Sequence, residues 1–292
     1  ADRRDGFDAA RLTSVAPDNP YISFPYTRLL NSNAFIDQAA AVIVTSVAVA
    51  RELGVPEDRW VYLHGCADGH DIWHMSERRD FHSCPAMKKV FDEAFQMAGI
   101  GFDEVDKIDL YSCFSSAVEI ACNEMGISPD DPRGLTVTGG LPFFGGPGNN
   151  YVTHSIAEMM NQVRARPGSY GLVTANGNYV TKHSVGIYST RPLERPFAPR
   201  DPDLVQAELD AQARTPFTEF AEGQGTVETY TVMHDRDGPT GAILFGRRPD
   251  GTRFMANTPT DRALLEEIER SEFIGVRGRV SHDARTNCFV PD

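Results

Sequence analysis

Apolar positions recur with a helical period along several stretches of the chain. Met87, Val90, Phe91, Ala94, Phe95 and Ala98 fall on one helical face, which predicts a helix from Cys84 that Gly99 closes. Residues 116–125, closed by Gly126, and residues 151–164 read the same way. Between them, short β-branched runs predict buried strands at 39–45, 59–64, 107–111, 135–138 and 170–174, with 180–190 paired beside the last. Residues 47–53 predict a helix stopped by Gly54-Val-Pro56, so 39–64 reads as a strand–helix–strand unit. Residues 1–20 and 65–83 are polar and read as loops. This alternation to about residue 190 defines an α/β class.

The pattern changes after Arg191. Prolines 192, 196, 199 and 202 interrupt any periodicity, which predicts a linker. Beyond it, residues 225–233, 241–247, 252–256 and 273–280 read as short strands separated by Asp-Gly turns, and Asp261 caps a short helix. Five or six strands with one helix predict a small OB-like β-barrel.

Composition narrows the function. The chain has 292 residues, 41% hydrophobic and 24% charged, with a net charge of −13. That balance excludes an extended nucleic-acid surface, although a single cation and backbone N–H groups still suffice for an anionic small molecule. The longest apolar run, 39–50, is interrupted by Thr45 and Ser46, so no membrane span is expected. Five cysteines without CxxC spacing indicate neither a disulfide framework nor a zinc knuckle, and with no secretory signal the expected compartment is the cytoplasm. A start at alanine fits a processed or truncated piece. His64, Cys66, His70, His74 and His82 lie close in sequence but lack a metal-binding spacing, so no metal is expected.

Candidate chemistry gathers in three turn-bearing segments: Asp109 to Phe114, the glycine-rich run from Gly139 to Tyr151, and Val173 to Asn178. Cys113 stands between a strand and a helix, where a helix N-terminus favours thiolate; a small buried residue is the alternative. Ser112 shares that position. The glycine run allows close approach of backbone N–H groups to a carbonyl or phosphate, and Asn149, Asn150 and His154 follow it with donors and a base; an Ω-loop is the alternative.

These segments resemble the C-terminal part of the thiolase superfamily, in particular thiolase-like proteins of type 1, a group that carries the acetyl-CoA acetyltransferase name and an extra C-terminal domain. Residues 32–44 resemble the stretch that closes the thiolase N-terminal half. Asp109-Leu-Tyr-Ser-Cys-Phe114 falls where the family has H-D-C-F or N-E-A-F, Gly139-Gly to Gly145-Gly-Pro147 where it has G-G and G-H-P, and Thr174-Ala-Asn-Gly-Asn178 where it has C-x-G. The resemblance implies a thiolase-like layered αβα fold with an incomplete N-terminal half, followed by the OB-like barrel. The expected boundaries are 1–75 for the end of the N-terminal half, 76–195 for the C-terminal half, 196–222 for the linker and 223–292 for the added domain.

It also implies acyl transfer from a coenzyme A thioester, bound as substrate with no further cofactor. The sequence departs from the pattern at Gly146, where the histidine of G-H-P stands, and at Ala175 or Asn176, where the cysteine of C-x-G stands. The family nucleophile belongs to the N-terminal half. The expected site is therefore atypical: Cys113 as acid/base or acyl carrier, Tyr111, Ser112 and Asn176 as polar partners, His154 as base, and Gly145, Gly146, Pro147, Asn149, Asn150 and Gly177 against the ligand. The expected role is an acetyl-CoA acetyltransferase-like acyltransferase in lipid metabolism, as a homodimer or as a heteromer that gains the missing half. The alternatives are a non-catalytic CoA- or lipid-binding module and a structural subunit of a thiolase-like aldolase complex, with Val276, Phe289 and Val290 as a docking face.

Overall fold

The computed structural model describes residues 6–283 and 285–292. The chain divides into two compact units, one of Ser32–Trp73 with Phe81–Gln212, the other of Phe7–Asn31, His74–Asp80 and Ala213–Asp292.

In the first unit, β1 (Tyr62–His70), β2 (Val105–Asp109), β3 (Tyr170–Gly177) and β4 (Lys182–Ser189) form one sheet in the order β1-β4-β3-β2. β2 and β3 run parallel, and the other pairs are antiparallel. The helices are α1 (Val47–Glu52), α2 (Pro85–Ala98), α3 (Ser115–Met125), α4 (Tyr151–Ala165) and α5 (Pro202–Asp210). Successive residues of β3 point to opposite faces. Leu172 joins a core with Val90, Phe91 and Ala94 of α2 and Ile120 and Ala121 of α3, whereas Val173 packs on Met159 and Val163 of α4. Helices thus cover both faces of the sheet, in a layered α/β/α arrangement. Gly99 and Gly126 close α2 and α3 in the left-handed conformation, as the sequence predicts.

Three expectations for this unit fail, each for a local reason. Residues 39–45 form no strand; Phe35 is 97% exposed, Ile43 90% and Val44 91%. The stretch is extended, and residues 36–43 alternate between half-buried and exposed as a strand would, but no ladder forms, so the expected strand–helix–strand unit is not made. Residues 135–138 form no strand either, because the N–H groups of Val137 and Thr138 bond the carboxylate of Asp109 at 2.9 and 3.2 Å. Residues 65–70, expected as loop, continue β1 past an irregularity between Leu63 and Gly65 and pair with β4. The expected linker also holds structure: Asp201 caps α5 through the N–H of Asp203, Pro202 opens it, and Val205 and Leu209 are buried.

The second unit is a five-stranded barrel. β5 (Gly223–Asp235), β6 (Gly238–Arg247), β7 (Arg253–Asn257), β8 (Arg277–His282) and β9 (Asn287–Pro291) close in the order β5-β6-β7-β9-β8-β5, with α6 (Arg262–Arg270) between β7 and β8. β7 and β9 are parallel at Asn257 and Cys288, and β8 closes the ring against β5. This is the connectivity of an OB-like barrel. Phe254, Leu265, Phe273, Val280 and Phe289 fill it. Phe289 is therefore core rather than part of a docking face; of the three residues proposed there, Val290 is exposed at 48%. Tyr21–Ser23 adds an edge to β5, so residues 7–31, placed by sequence in the first segment, belong with the barrel. Arg253, fully buried, pairs with Glu228 and donates to the carbonyls of Ser76, Arg78 and Arg79. No described helix is long and apolar enough to cross a membrane.

Candidate active site

The C-terminal ends of β2 and β3 and the start of α4 bring the three turn-bearing segments together. β2 ends at Asp109, which is fully buried. One of its carboxylate oxygens accepts from the hydroxyls of Thr136 and Thr138 and from the N–H groups of Val137 and Thr138. Thr138 passes the network on to the Tyr151 hydroxyl at 2.8 Å. Burial pushes the Asp109 carboxyl above its usual value, against the pull of these hydrogen bonds, and burial likewise raises the Tyr151 phenol. Asp109 thereby fixes the entry to the glycine run.

Within that run the backbone is largely committed. The N–H of Gly139 bonds Thr136, that of Gly140 bonds Thr138, and that of Leu141 bonds Ser112 at 3.0 Å. The N–H groups of Gly145, Gly146 and Gly148 go to the carbonyls of Leu141, Asn33 and Gly146. These six donors are spent on the fold, so the expected oxyanion-type role is not available to them. Two glycines are required sterically. At Gly140, with φ +79°, a Cβ would meet the Ser112 hydroxyl at 2.8 Å. At Gly146 a Cβ would overlap the Ser32 hydroxyl. The position where the family pattern has histidine is thus filled from the neighbouring segment.

A cavity of about 580 Å³ lies beside these segments. Tyr111, Asn149, Asn176 and Gly177 of the expected set line it, together with His70, weighed in sequence only as a metal ligand, and with Trp73, Lys182, His183 and Gln206, which sequence reasoning did not single out. Cys113 sits next to this wall: the Asn176 side-chain amide donates to its sulfur at 3.7 Å. The Tyr111 N–H bonds the Thr174 hydroxyl at 2.9 Å, and its ring meets Tyr151 edge-on. The expected thiolate-favouring environment of Cys113 is not what forms. Burial pushes its thiol up, and the N–H groups of Phe114 and Cys113 oppose this in part.

The remaining expected residues lie elsewhere. His154 does not line the cavity; its ring packs on Phe144, and burial lowers its pKa. Ser112 holds the Leu141 N–H. Gly145 and Gly146 pack on Ile36 and Ser32. Asn150 spends its amide on the backbone of Ala40, accepting at 2.8 Å and donating at 3.1 Å. It imitates a strand partner and holds residues 33–40 extended, assisted by Gln38 on the Phe144 carbonyl.

Behind the cavity wall, the buried Cys84 sulfur is 3.2 Å from His183 Nε2 and 3.4 Å from an Asp71 carboxylate oxygen. A Cys–His–Asp cluster drawn from positions 71, 84 and 183 has no sequence spacing that would reveal it. The turn from β3 to β4 is strained. Asn178, Tyr179 and Val180 all adopt φ near +55°, a conformation that a β-branched residue rarely takes. Among the described residues no group of three or more His, Cys, Asp or Glu side chains is placed to hold a metal ion.

The fold is thiolase-like. It superposes on a monomeric SCP2-thiolase-like protein type 1 from Mycobacterium smegmatis with a TM-score of 0.87 and 42% identity, over 97% of this chain and 61% of that one. More particularly, residues 204–285 match the family model of the thiolase-like protein type 1 additional C-terminal domain, and the chain resembles the C-terminal portion of such proteins. A probable acetyl-CoA acetyltransferase of Mycolicibacterium smegmatis is 32% identical over 143 residues, 48% of this chain and 32% of the relative. An acetyl-CoA acetyltransferase of Methanocaldococcus jannaschii is 29% identical over 110 residues, 38% of this chain and 28% of the relative. The chain spans about a third of the length of the curated relatives it matches.

Proposed function

We propose that this chain binds an acyl-CoA thioester and supplies the C-terminal half of a thiolase-type acyl-transfer site. The observation that carries the reading is the convergence of Tyr111, Asn149 and Asn176 on one cavity, with Cys113 against its wall. The volume of about 580 Å³ lies within the range of small-molecule sites. Asn176 and Tyr111 would orient the thioester carbonyl, and Cys113 would serve as acid/base or acyl carrier. The nucleophile is proposed to come from a thiolase-type N-terminal portion packed along residues 33–46. That stretch is held extended by Asn150 while its apolar side chains face outward. The solved relative is described as monomeric, which favours completion of the site by such a portion over a homodimer. The names of the curated relatives support a place in acyl-CoA and lipid metabolism, and a cytoplasmic setting is part of the proposal.

A second reading, a CoA- or lipid-binding module without turnover, is favoured by one observation: burial raises the Cys113 thiol instead of lowering it. Intact-mass spectrometry separates the two. The chain is incubated with acetyl-CoA alone and together with a thiolase N-terminal half. The proposal expects an acetyl adduct when both portions are present. An adduct on Cys113 of the chain alone would move the nucleophile into this polypeptide. Saturable acetyl-CoA binding with no adduct in either mixture would leave the binding module.

A further inference from the structure

The barrel carries a second cavity, of about 450 Å³, at the edge where β7, β8 and β9 meet the approach to β5. Its chemistry is set by Asn287, whose side chain is buried. The Asn287 amide nitrogen donates to the carbonyls of Glu219 and Met255, at 3.0 and 2.8 Å, which fixes the orientation of the group. Its oxygen must then be an acceptor. It takes the N–H of Ala221 at 3.1 Å and faces Nδ1 of His282 at 2.9 Å. Nδ1 therefore carries the hydrogen, and the lone pair of the neutral ring is on Nε2. His282 lines the cavity, so the barrel presents there a histidine of fixed tautomer with an acceptor nitrogen.

The other walls are of two kinds. Phe220 is 69% exposed, yet its backbone is pinned on both sides by the Thr218 hydroxyl, and its ring meets His282 edge-on at 4.7 Å between centroids. Met255, 48% exposed, continues the apolar surface. An aromatic held in place while exposed is a stacking platform, with little ordering left to lose on binding. Arg285 and Glu219 stand at the same opening. One cation suits a phosphate, and one carboxylate suits a vicinal diol.

We propose that this cavity binds an adenine nucleotide. The base stacks on Phe220 and donates its exocyclic amine to His282 Nε2, the phosphate faces Arg285, and the ribose hydroxyls face Glu219. A neutral sugar would leave Arg285 unused, and an extended nucleic acid is disfavoured by the net charge of −13. The nucleotide is a free one: the nucleotide end of coenzyme A carries a 3′-phosphate, lacks the vicinal diol that suits Glu219, and would set that phosphate against the carboxylate.

Isothermal titration of the full chain with adenosine 5′-monophosphate tests the assignment. One saturable site is expected, weakened at least about fivefold by Phe220→Ala, the loss typical of removing one base-stacking aromatic. His282→Ala should weaken it comparably, whereas Asn176→Ala, in the other cavity, should leave it unchanged. Phe220 is exposed, so its variant tests binding without unfolding the barrel; a thermal melt confirms this for both variants. Coenzyme A, which lacks the vicinal diol, should compete poorly; competition as strong as that of adenosine 5′-monophosphate itself would overturn the assignment of the ribose hydroxyls to Glu219. No saturable binding of adenosine 5′-monophosphate, or binding indifferent to Phe220→Ala, overturns the proposal. Because the residues tested lie in the barrel, that failure is separate from any failure of acyl-CoA binding beside Cys113.

Discussion

Asp109 offers the sharpest test of how the glycine run is held. Asp109→Ala removes the acceptor shared by Val137, Thr138 and Thr136. Two backbone N–H groups then lose their partner at a buried position. Each such orphan costs about 1–3 kcal/mol, so the variant should lose about 2–6 kcal/mol. Asp109→Asn keeps an oxygen acceptor and discards a charge that burial penalises, so its cost at neutral pH should be about 1 kcal/mol or less. The two variants thus separate the acceptor from the charge.

The pH dependence has a definite sign. Burial raises the Asp109 carboxyl, so the folded chain binds its proton more tightly than the unfolded chain does. The stability linked to this group is therefore complete below the usual aspartate range and falls as pH rises through the higher folded value. The asparagine variant carries no such proton. Wild type should lose ground to Asp109→Asn as pH climbs from about 3 to about 7. Urea unfolding followed by tryptophan fluorescence suits the measurement, because Trp60 and Trp73 both lie in the first unit. If wild type gains on the asparagine variant over that range, the hydrogen bonds outweigh burial and the reasoning fails. If alanine costs no more than asparagine, Asp109 does not hold the loop.

Gly146→His should not rebuild a thiolase histidine: its Cβ would overlap the Ser32 hydroxyl, and a melting curve should show a loss of about 1–3 kcal/mol with no gain in acetyl transfer. Cys113 should react with iodoacetamide more slowly than a free thiol at neutral pH, because a raised thiol pKa lowers the thiolate fraction; a rate that levels off below pH 7 would contradict this. Ile43→Lys with Val44→Lys should change the stability of the chain by no more than about 0.5 kcal/mol, since both side chains are exposed, yet block association with a thiolase N-terminal half in size-exclusion chromatography. Asn150→Ala should release residues 33–40, seen as faster amide exchange at Ala40.

What the sequence made legible follows from how local the determinants are. The helices at 85–98, 115–125 and 151–165 are set by their own apolar spacing, and two of them by a glycine one residue beyond the end. Two Asp-Gly turns mark the first three barrel strands, which formed where expected, whereas the strand expected at 273–280 begins only at Arg277 and Asn287–Pro291 carries no such mark. Residues 135–138 carry a strand-like pattern too, but their N–H groups are claimed by Asp109, far back in the chain, which no window around them contains. The cavity residues show the same limit. Tyr111, Asn149 and Asn176 stand next to recognisable turns, whereas Lys182, His183 and Gln206 reach the site through pairing of β3 with β4 and packing of α5. For Cys113 the sequence leaves thiolate and small buried residue open for a related reason: a helix N-terminus is visible in sequence, but the degree of burial that opposes it is not.

The stretch at 39–45 is a different case, and a more informative one. Its apolar run does not alternate in sequence, yet exposure alternates along residues 36–43 in the fold, and Asn150 supplies the hydrogen bonds that a neighbouring strand would make at Ala40. The buried strand expected there is not formed, because its apolar side chains find no covering layer within the chain. An exposed apolar edge of this length is a liability for an isolated protein. Residues 32–44 were also the part that resembled the end of the thiolase N-terminal half. Sequence resemblance, side-chain clamping and exposure thus agree on one residue range, which is why the association assay on Ile43 and Val44 decides between a completed transfer site and a binding module.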